Sequence, residues 1–288
     1  MFEFKTLLSK LQHKKLAIHT RKKGSASGKY LTKRSGASIE FNDYRSYQLG
    51  DDIRQIDWNV YGRTKKHYIK TFLDEHMYEV GIVLDYSNSM QASEEKWKLA
   101  KMIAASISFV TLNGEDQLQY VLPKNNRLFV RKAKGKRSSY QTFQQIYETN
   151  EKLTSQMFFE QCIIAMPKTP QMMFVISDFL EPIHHLEKLV KQMTNYYQYI
   201  YFIQVMDEKE LNPSYEGDVS LEDSETKSEL SISMNKELID KYENRLANHN
   251  KMVELLVHKH GGNYLLCGTD KDPYELIIKD FVRKEIFV

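Results

Sequence analysis

The chain has 288 residues, 41% of them hydrophobic and 27% charged, a composition that excludes wholesale disorder and a fibrous repeat and allows one large domain or a domain with a satellite. Its 41 Lys and Arg stand against 38 Asp and Glu, and the resulting +3 is too small to make the whole chain a polyanion binder, so nucleic acid is not the expected partner. Cys162 and Cys267 are each alone in their neighbourhoods, which excludes a disulfide framework and a CxxC zinc site. No apolar run approaches the ~20 residues that span a bilayer and no leader pattern opens the chain, so the expectation is a cytoplasmic protein without a membrane span.

Residues 1–34 carry ten Lys and Arg against Glu3 alone. They read as a basic, partly helical arm, with Phe4, Leu7, Leu8 and Leu11 forming an apolar stripe that docks on the body. Residues 35–78 read as a small β-rich subdomain. From Ser38 to Leu73 the chain is rich in Tyr, Ile, Phe and Thr and is punctuated by Gly50 and Gly62, which predicts short strands and turns rather than helix; a strand is expected at Tyr68 to Leu73.

From residue 79 to 288 apolar strands alternate with amphipathic helices. Val80 to Leu84 is a near-continuous apolar run, the mark of a parallel strand covered on both faces. Ser93 caps a helix with Glu94 and Glu95 in its first turn, and Trp97, Ala100, Ile103, Ala104, Ile107 and Val110 make its core face before Asn113 and Gly114 end it. Leu118 to Leu122 and Arg127 to Val130 read as strands about a turn. Helices are expected at Tyr140 to Glu148, Phe158 to Ala165 and Ile183 to Met193, with buried strands at Met172 to Ile176 and Tyr199 to Val205. A hairpin near Val219 to Leu221 and Leu230 to Ile232 precedes a long helix from about Lys236 to His260, so that residues 207–260 form a hairpin-and-helix insertion. A strand at Asn263 to Leu266 and a helix at Pro273 to Arg283 follow. The alternation predicts an α/β fold with a doubly wound, mostly parallel sheet of Rossmann type.

The chemistry-bearing stretch is DYSNS at the end of the first buried strand. Asp85, Ser87 and Ser89 are spaced by two residues, so three hard oxygen atoms can face one side and meet a hard cation. Asp178, at the end of the buried strand FVIS, supplies a second carboxylate, and Thr154 a loop hydroxyl for which Ser177 or Ser155 can substitute. Ligands of open α/β sheets bind at the carboxyl ends of strands where the strand order reverses. A set without thiolate or imidazole selects Mg2+, or else Mn2+ or Ca2+. These residues resemble the metal-ion-dependent adhesion site of von Willebrand factor A domains, which implies a von Willebrand A-like fold with an open coordination position for a partner's Asp or Glu.

Upstream, GDDIRQIDW packs three acids and an arginine into a short span. The residue types point to an ion-pair and hydrogen-bond network, Arg45 or Arg54 with Asp52 or Asp57, that fastens the β-rich subdomain to the sheet. Arg45, Asp51, Asp52, Arg54, Asp57 and Trp58, with Tyr47, Gly50 and Ile56, are similar to the signature of the bacterial domain-of-unknown-function 58 family, as are LEDSET at 221–226 and YENRLANHN. That resemblance implies a non-catalytic adaptor working with a MoxR-type AAA+ ATPase or its substrate. No catalytic residue is expected, since nothing like GxSxG, HExxH or a Walker loop occurs. Two alternatives from other classes are a Mg-dependent hydrolase of phosphate esters centred on Asp85 and Asp178, and a nucleic-acid-binding module using the basic arm.

Overall fold

Apolar strands buried on both faces set the architecture. In the computed structural model the described residues are 2–17, 39–74, 77–151, 153, 158–213, 217–222 and 229–288. Two compact units divide the chain, one of Met1–Gly24 with Tyr78–Val288 and one of Ser25–Met77.

The larger unit begins with helix α1 (Phe2–Leu11), whose Leu7, Leu8 and Leu11 are buried in the main core. The chain just beyond it pairs with the far end of the sequence: Leu16 bridges Phe287, and Lys15 and Val288 exchange backbone hydrogen bonds of 3.0 and 2.9 Å. The smaller unit contains strand β1 (Ile39–Ser46), helix α2 (Trp58–Thr64) and strand β2 (Tyr68–Asp74), with β1 and β2 antiparallel.

Helix α2 corrects the expectation of strands and turns alone. The Asp57 side chain accepts from the N–H groups of Asn59 and Val60 and so satisfies two orphan donors of the first turn. A cap of that kind contributes ~1 kcal/mol, enough to offset the similar cost of Gly62 inside the helix. Lys65, at φ 56°, turns the chain out of it.

The larger unit continues with β3 (Glu79–Leu84), the short helix α3 (Asn88–Gln91), α4 (Glu94–Asn113), β4 (Gln117–Lys124) and β5 (Arg127–Lys134). Next come α5 (Ser139–Glu148), α6 (Phe158–Ala165), β6 (Met172–Ser177), α7 (Ile183–Tyr196) and β7 (Tyr199–Met206). Helix α8 (Glu208–Leu211), the hairpin β8 (Gly217–Glu222) and β9 (Glu229–Met234), α9 (Lys236–Lys259) and β10 (Asn263–Gly268) complete it, before helical turns over residues 273–283. Six strands form one sheet in the order β10-β7-β6-β3-β4-β5, parallel except for the antiparallel pair β4 and β5.

The continuous apolar strands are explained by side chains alternating between two cores. Val80, Ile82 and Leu84 with Met172, Phe174 and Ile176 face α1, α4 and α5, whereas Val83, Met173 and Val175 face α6, α7 and α9. This is the mixed α/β, Rossmann-like arrangement expected. Strand β5 runs four residues past its expected end, because Arg131, Lys132 and Lys134 are polar and leave Ala133 alone to signal burial. Among the described residues no helix is long and apolar enough to cross a membrane.

Phe174 is fully buried and stacks on Tyr201 at 5.0 Å between centroids. Phe174→Ala is expected to lower the unfolding free energy by about 3–5 kcal/mol, measured by urea denaturation, because the cavity it leaves is walled by two packed layers.

Candidate metal centre

The sheet reverses its winding between β3 and β6. From β3 the crossover through α4 leads outward to β4, while from β6 the crossover through α7 leads the other way to β7. A crevice therefore opens at the carboxyl ends of β3 and β6, where Asp85 and Asp178 follow the last strand residues.

Asp85 is 3% exposed. Its N–H donates to the Ile176 carbonyl at 2.9 Å, which extends the β3–β6 ladder by one step and fixes its position. Its Oδ2 accepts from the Ser177 hydroxyl at 2.6 Å and its Oδ1 from the Ser87 N–H at 2.8 Å. The Ser87 and Ser89 hydroxyls stand 3.0 Å apart. Burial, then the Asp178 charge, push the Asp85 carboxyl up to about 7 against the pull of the Ser177 and Ser87 hydrogen bonds. No Lys or Arg among the described residues pairs with it.

Asp178 is differently placed. Its Oδ2 accepts from Lys96 Nζ at 3.0 Å and its Oδ1 from the Leu180 N–H at 3.2 Å. Lys96 is fully buried and donates also to Glu210 Oε1 at 2.8 Å. Burial pulls the ammonium's pKa down, but the Asp178 and Glu210 carboxylates outweigh it and the net shift is upward. Glu210 in turn accepts from the Asp207 N–H at 2.8 Å, completing the capping box of α8, while Ser93 at the start of α4 donates to Asp207. The chain after β7 is thus tied to the first turn of α4.

The turn after β6 is equally constrained. Phe179 has φ 52°, donates its N–H to Ser177 Oγ at 3.1 Å, and its carbonyl lies 2.8 Å from His249 Nε2 of α9. Gln204 donates to the Asp178 carbonyl at 2.7 Å.

The structure therefore brings Asp85, Ser87 and Ser89 together, adds Ser177, and sets Asp178 beside them in the grip of Lys96. Thr154 and Ser155 lie outside the described residues. The preceding Leu153 donates its N–H to the Tyr86 carbonyl at 3.1 Å, so the loop leading to Thr154 reaches this rim. Among the described residues no group of three or more His, Cys, Asp or Glu is placed to hold an ion; the candidate ligands are one carboxylate and hydroxyls, with water filling the rest of an octahedron. Sequence reasoning missed Lys96, Asp207 and Glu210. A signal existed for the first, because Lys96 falls on the same helical stripe as Ala100, Ile103 and Ile107, where a lysine demands a buried carboxylate.

In the smaller unit Arg45 pairs with Asp51, through two bonds of 2.6 and 2.7 Å, and not with Asp52 or Asp57. Asp52 caps the 3-10 turn Ile53–Gln55 by accepting from the Arg54 N–H at 3.0 Å. Asp57, buried, caps α2 and accepts from the Tyr44 hydroxyl at 3.0 Å. Trp58 opens α2 with 57% of its surface exposed and its ring edge on Tyr61. These acids set turns and caps within the unit itself.

Residues 43–252 match the model of the family described as protein of unknown function DUF58. The chain belongs to the DUF58 family. It is 26% identical over 274 residues to uncharacterized proteins of Mycobacterium bovis and Mycobacterium tuberculosis, an alignment covering 92% of this chain and 86% of theirs. Among solved structures, it is similar to a conserved hypothetical protein, BatB, from Bacteroides thetaiotaomicron, at 11% identity and a TM-score of 0.41. It is similar also to an aerotolerance-related membrane protein from Bacteroides fragilis, at 14% identity and a TM-score of 0.41. Each match covers 72% of this chain and 98% of the other. The expectation of a cytoplasmic location is corrected here: that no described helix is long and apolar enough to cross a membrane does not place this DUF58 chain in the cytoplasm.

Two outcomes follow from the geometry. Lys96→Ala, which strands the buried Asp178 charge, is expected to cost about 3–5 kcal/mol in urea unfolding, and Lys96→Met combined with Asp178→Asn less than that. The Arg45 hydrogen bonds, then that of the Gln48 N–H, hold Asp51 down to about 2. A depressed carboxyl contributes stability above its unfolded value near 4, lost as pH falls toward 2. The stability gap between the wild type and Arg45→Ala is thus expected to be full at neutral pH and to close across that window, followed by acid titration of the unfolding midpoint.

Proposed function

We propose that this DUF58 chain is a non-catalytic adaptor whose larger unit is a von Willebrand factor A-like domain, and that its Asp85, Ser87 and Ser89 rim takes a divalent ion, Mg2+ first, to dock an acidic side chain of a partner. The observation that carries this reading is the Asp85 carboxylate. It is buried at the switch point, sits among hydroxyls, and has no Lys or Arg paired with it among the described residues, while the neighbouring Asp178 already has Lys96. A hard cation there would satisfy the carboxylate and hydroxyl oxygens together, and the ion's remaining positions would accept a partner's Asp or Glu.

Asp85 would bind the ion directly, Ser87 and Ser89 would add hydroxyl oxygens, and Ser177 would hold Asp85 in orientation from behind. Thr154 is a further candidate, supported by the Leu153 hydrogen bond to Tyr86. The role of Asp178 is then to add negative charge from beside the site while Lys96 fixes it. The partner suggested by the resemblance is a MoxR-type AAA+ ATPase or a protein on which it acts.

Calorimetric titration with Mg2+ and Mn2+ tests the site, with Asp85→Ala expected to abolish uptake and leave the circular dichroism spectrum unchanged. Affinity capture from lysate with and without EDTA then tests the bridge, with one protein set expected to be lost both with EDTA and in Asp85→Ala. Equal metal uptake by wild type and Asp85→Ala would sink the proposal.

A further inference from the structure

The sheet ends in a strand whose charge the metal site does not use. Strand β5 is the last in the order β10-β7-β6-β3-β4-β5, and among the described residues its eight residues pair only with β4. Alternate residues of such a strand direct their N–H and C=O groups away from the partner strand. Among the described residues no backbone hydrogen bond from another segment reaches β5.

The chemistry of this edge is one-sided. Between Gln117 and Tyr147 there are seven Lys and Arg and no Asp or Glu. Arg127, Arg131, Lys132 and Lys134 of β5 are exposed, and none forms an ion pair among the described residues. Apolar surface lies between them, with Phe129 45% and Val130 38% exposed. Positive charge on an edge also repels a second copy of the same edge, which protects against self-pairing. It leaves the edge selective for a strand of opposite sign.

We propose that the outer edge of β5 is a docking strand for an extended acidic polypeptide segment, which adds to the sheet through its backbone and meets the basic side chains with alternating carboxylates. Backbone pairing supplies affinity, and the charges with Phe129 and Val130 supply selection. A nucleic acid would use the charge but not the edge N–H and C=O groups, and those groups are what favour a peptide. Because β4 runs parallel to β3, the hairpin turn at Asn125 and Asn126 leaves the sheet at the rim that carries Asp85. The proposal nevertheless stands without any ion, and its test is run in EDTA.

The probe is a fluorescent peptide of alternating Glu and Val, matched to the eight residues of β5, and its binding to the full chain is followed by fluorescence anisotropy. Binding is expected to weaken about tenfold or more in Arg131→Glu with Lys132→Glu, and by a similar factor when alternate peptide nitrogens are methylated, which leaves charge intact but removes strand pairing. Unchanged thermal melting of the variant shows that the loss is local, and the methylated peptide tests wild-type protein directly. Equal binding of the methylated and unmethylated peptides, no binding of either, or tighter binding of a short oligothymidylate than of the peptide overturns the proposal.

Discussion

Two carboxylates, Asp85 and Asp178, lie side by side at the rim of the sheet with almost no exposure to water, and much of the surrounding structure answers that constraint. Like charges in a dry place raise each other's cost of ionisation, so each must be answered by donors or a cation. Asp178 is answered by Lys96, drawn wholly inside and shared with Glu210. Asp85 is answered by Ser177 and by the Ser87 N–H, which are dipoles rather than charges. The capping box of α8, the contact of Ser93 with Asp207 and the left-handed Phe179 all hold the segments that deliver these groups.

The sheet beneath makes this arrangement affordable. The parallel strands pack against helices through two apolar cores, so the polar rim rests on a tightly packed base. The result is a surface of opposite characters: carboxylates and hydroxyls at the switch point, and an acid-free basic stretch along the last strand. Under the two proposals each would meet negative groups in its own way, one through an intervening cation and the other through direct charge and backbone pairing.

Much of this was legible in the sequence because the physics is local. Strands such as Val80 to Leu84 and Met172 to Ile176 announce themselves by unbroken apolar character, and α4 by its cap and stripe. The rim residues Asp85 and Asp178 followed from their place at strand ends. What escaped depended on pairing across distance: Lys96 reaches Asp178 and Glu210 from another helix, and no spacing rule connects them. Helix α2 escaped for a local reason, since Gly62 read as a turn and the cap from Asp57 was not credited. Composition does not single out the partner of Arg45, because Asp51, Asp52 and Asp57 are equivalent residues in one short stretch and only the backbone path brings Asp51 to it.

The pairing of Lys15 and Leu16 with Phe287 and Val288 bears on the order in which the molecule assembles. Residues far apart in the sequence meet there, so the loop-closure entropy of this join is large and must be met late. As the ribosome delivers the chain, α1 can rest on α4 and α5 by side-chain packing, but the backbone latch beside it stays open until Phe287 and Val288 emerge. The segment after α1, Lys15 and Leu16, is consequently held late during synthesis, and a chaperone has time to act on it.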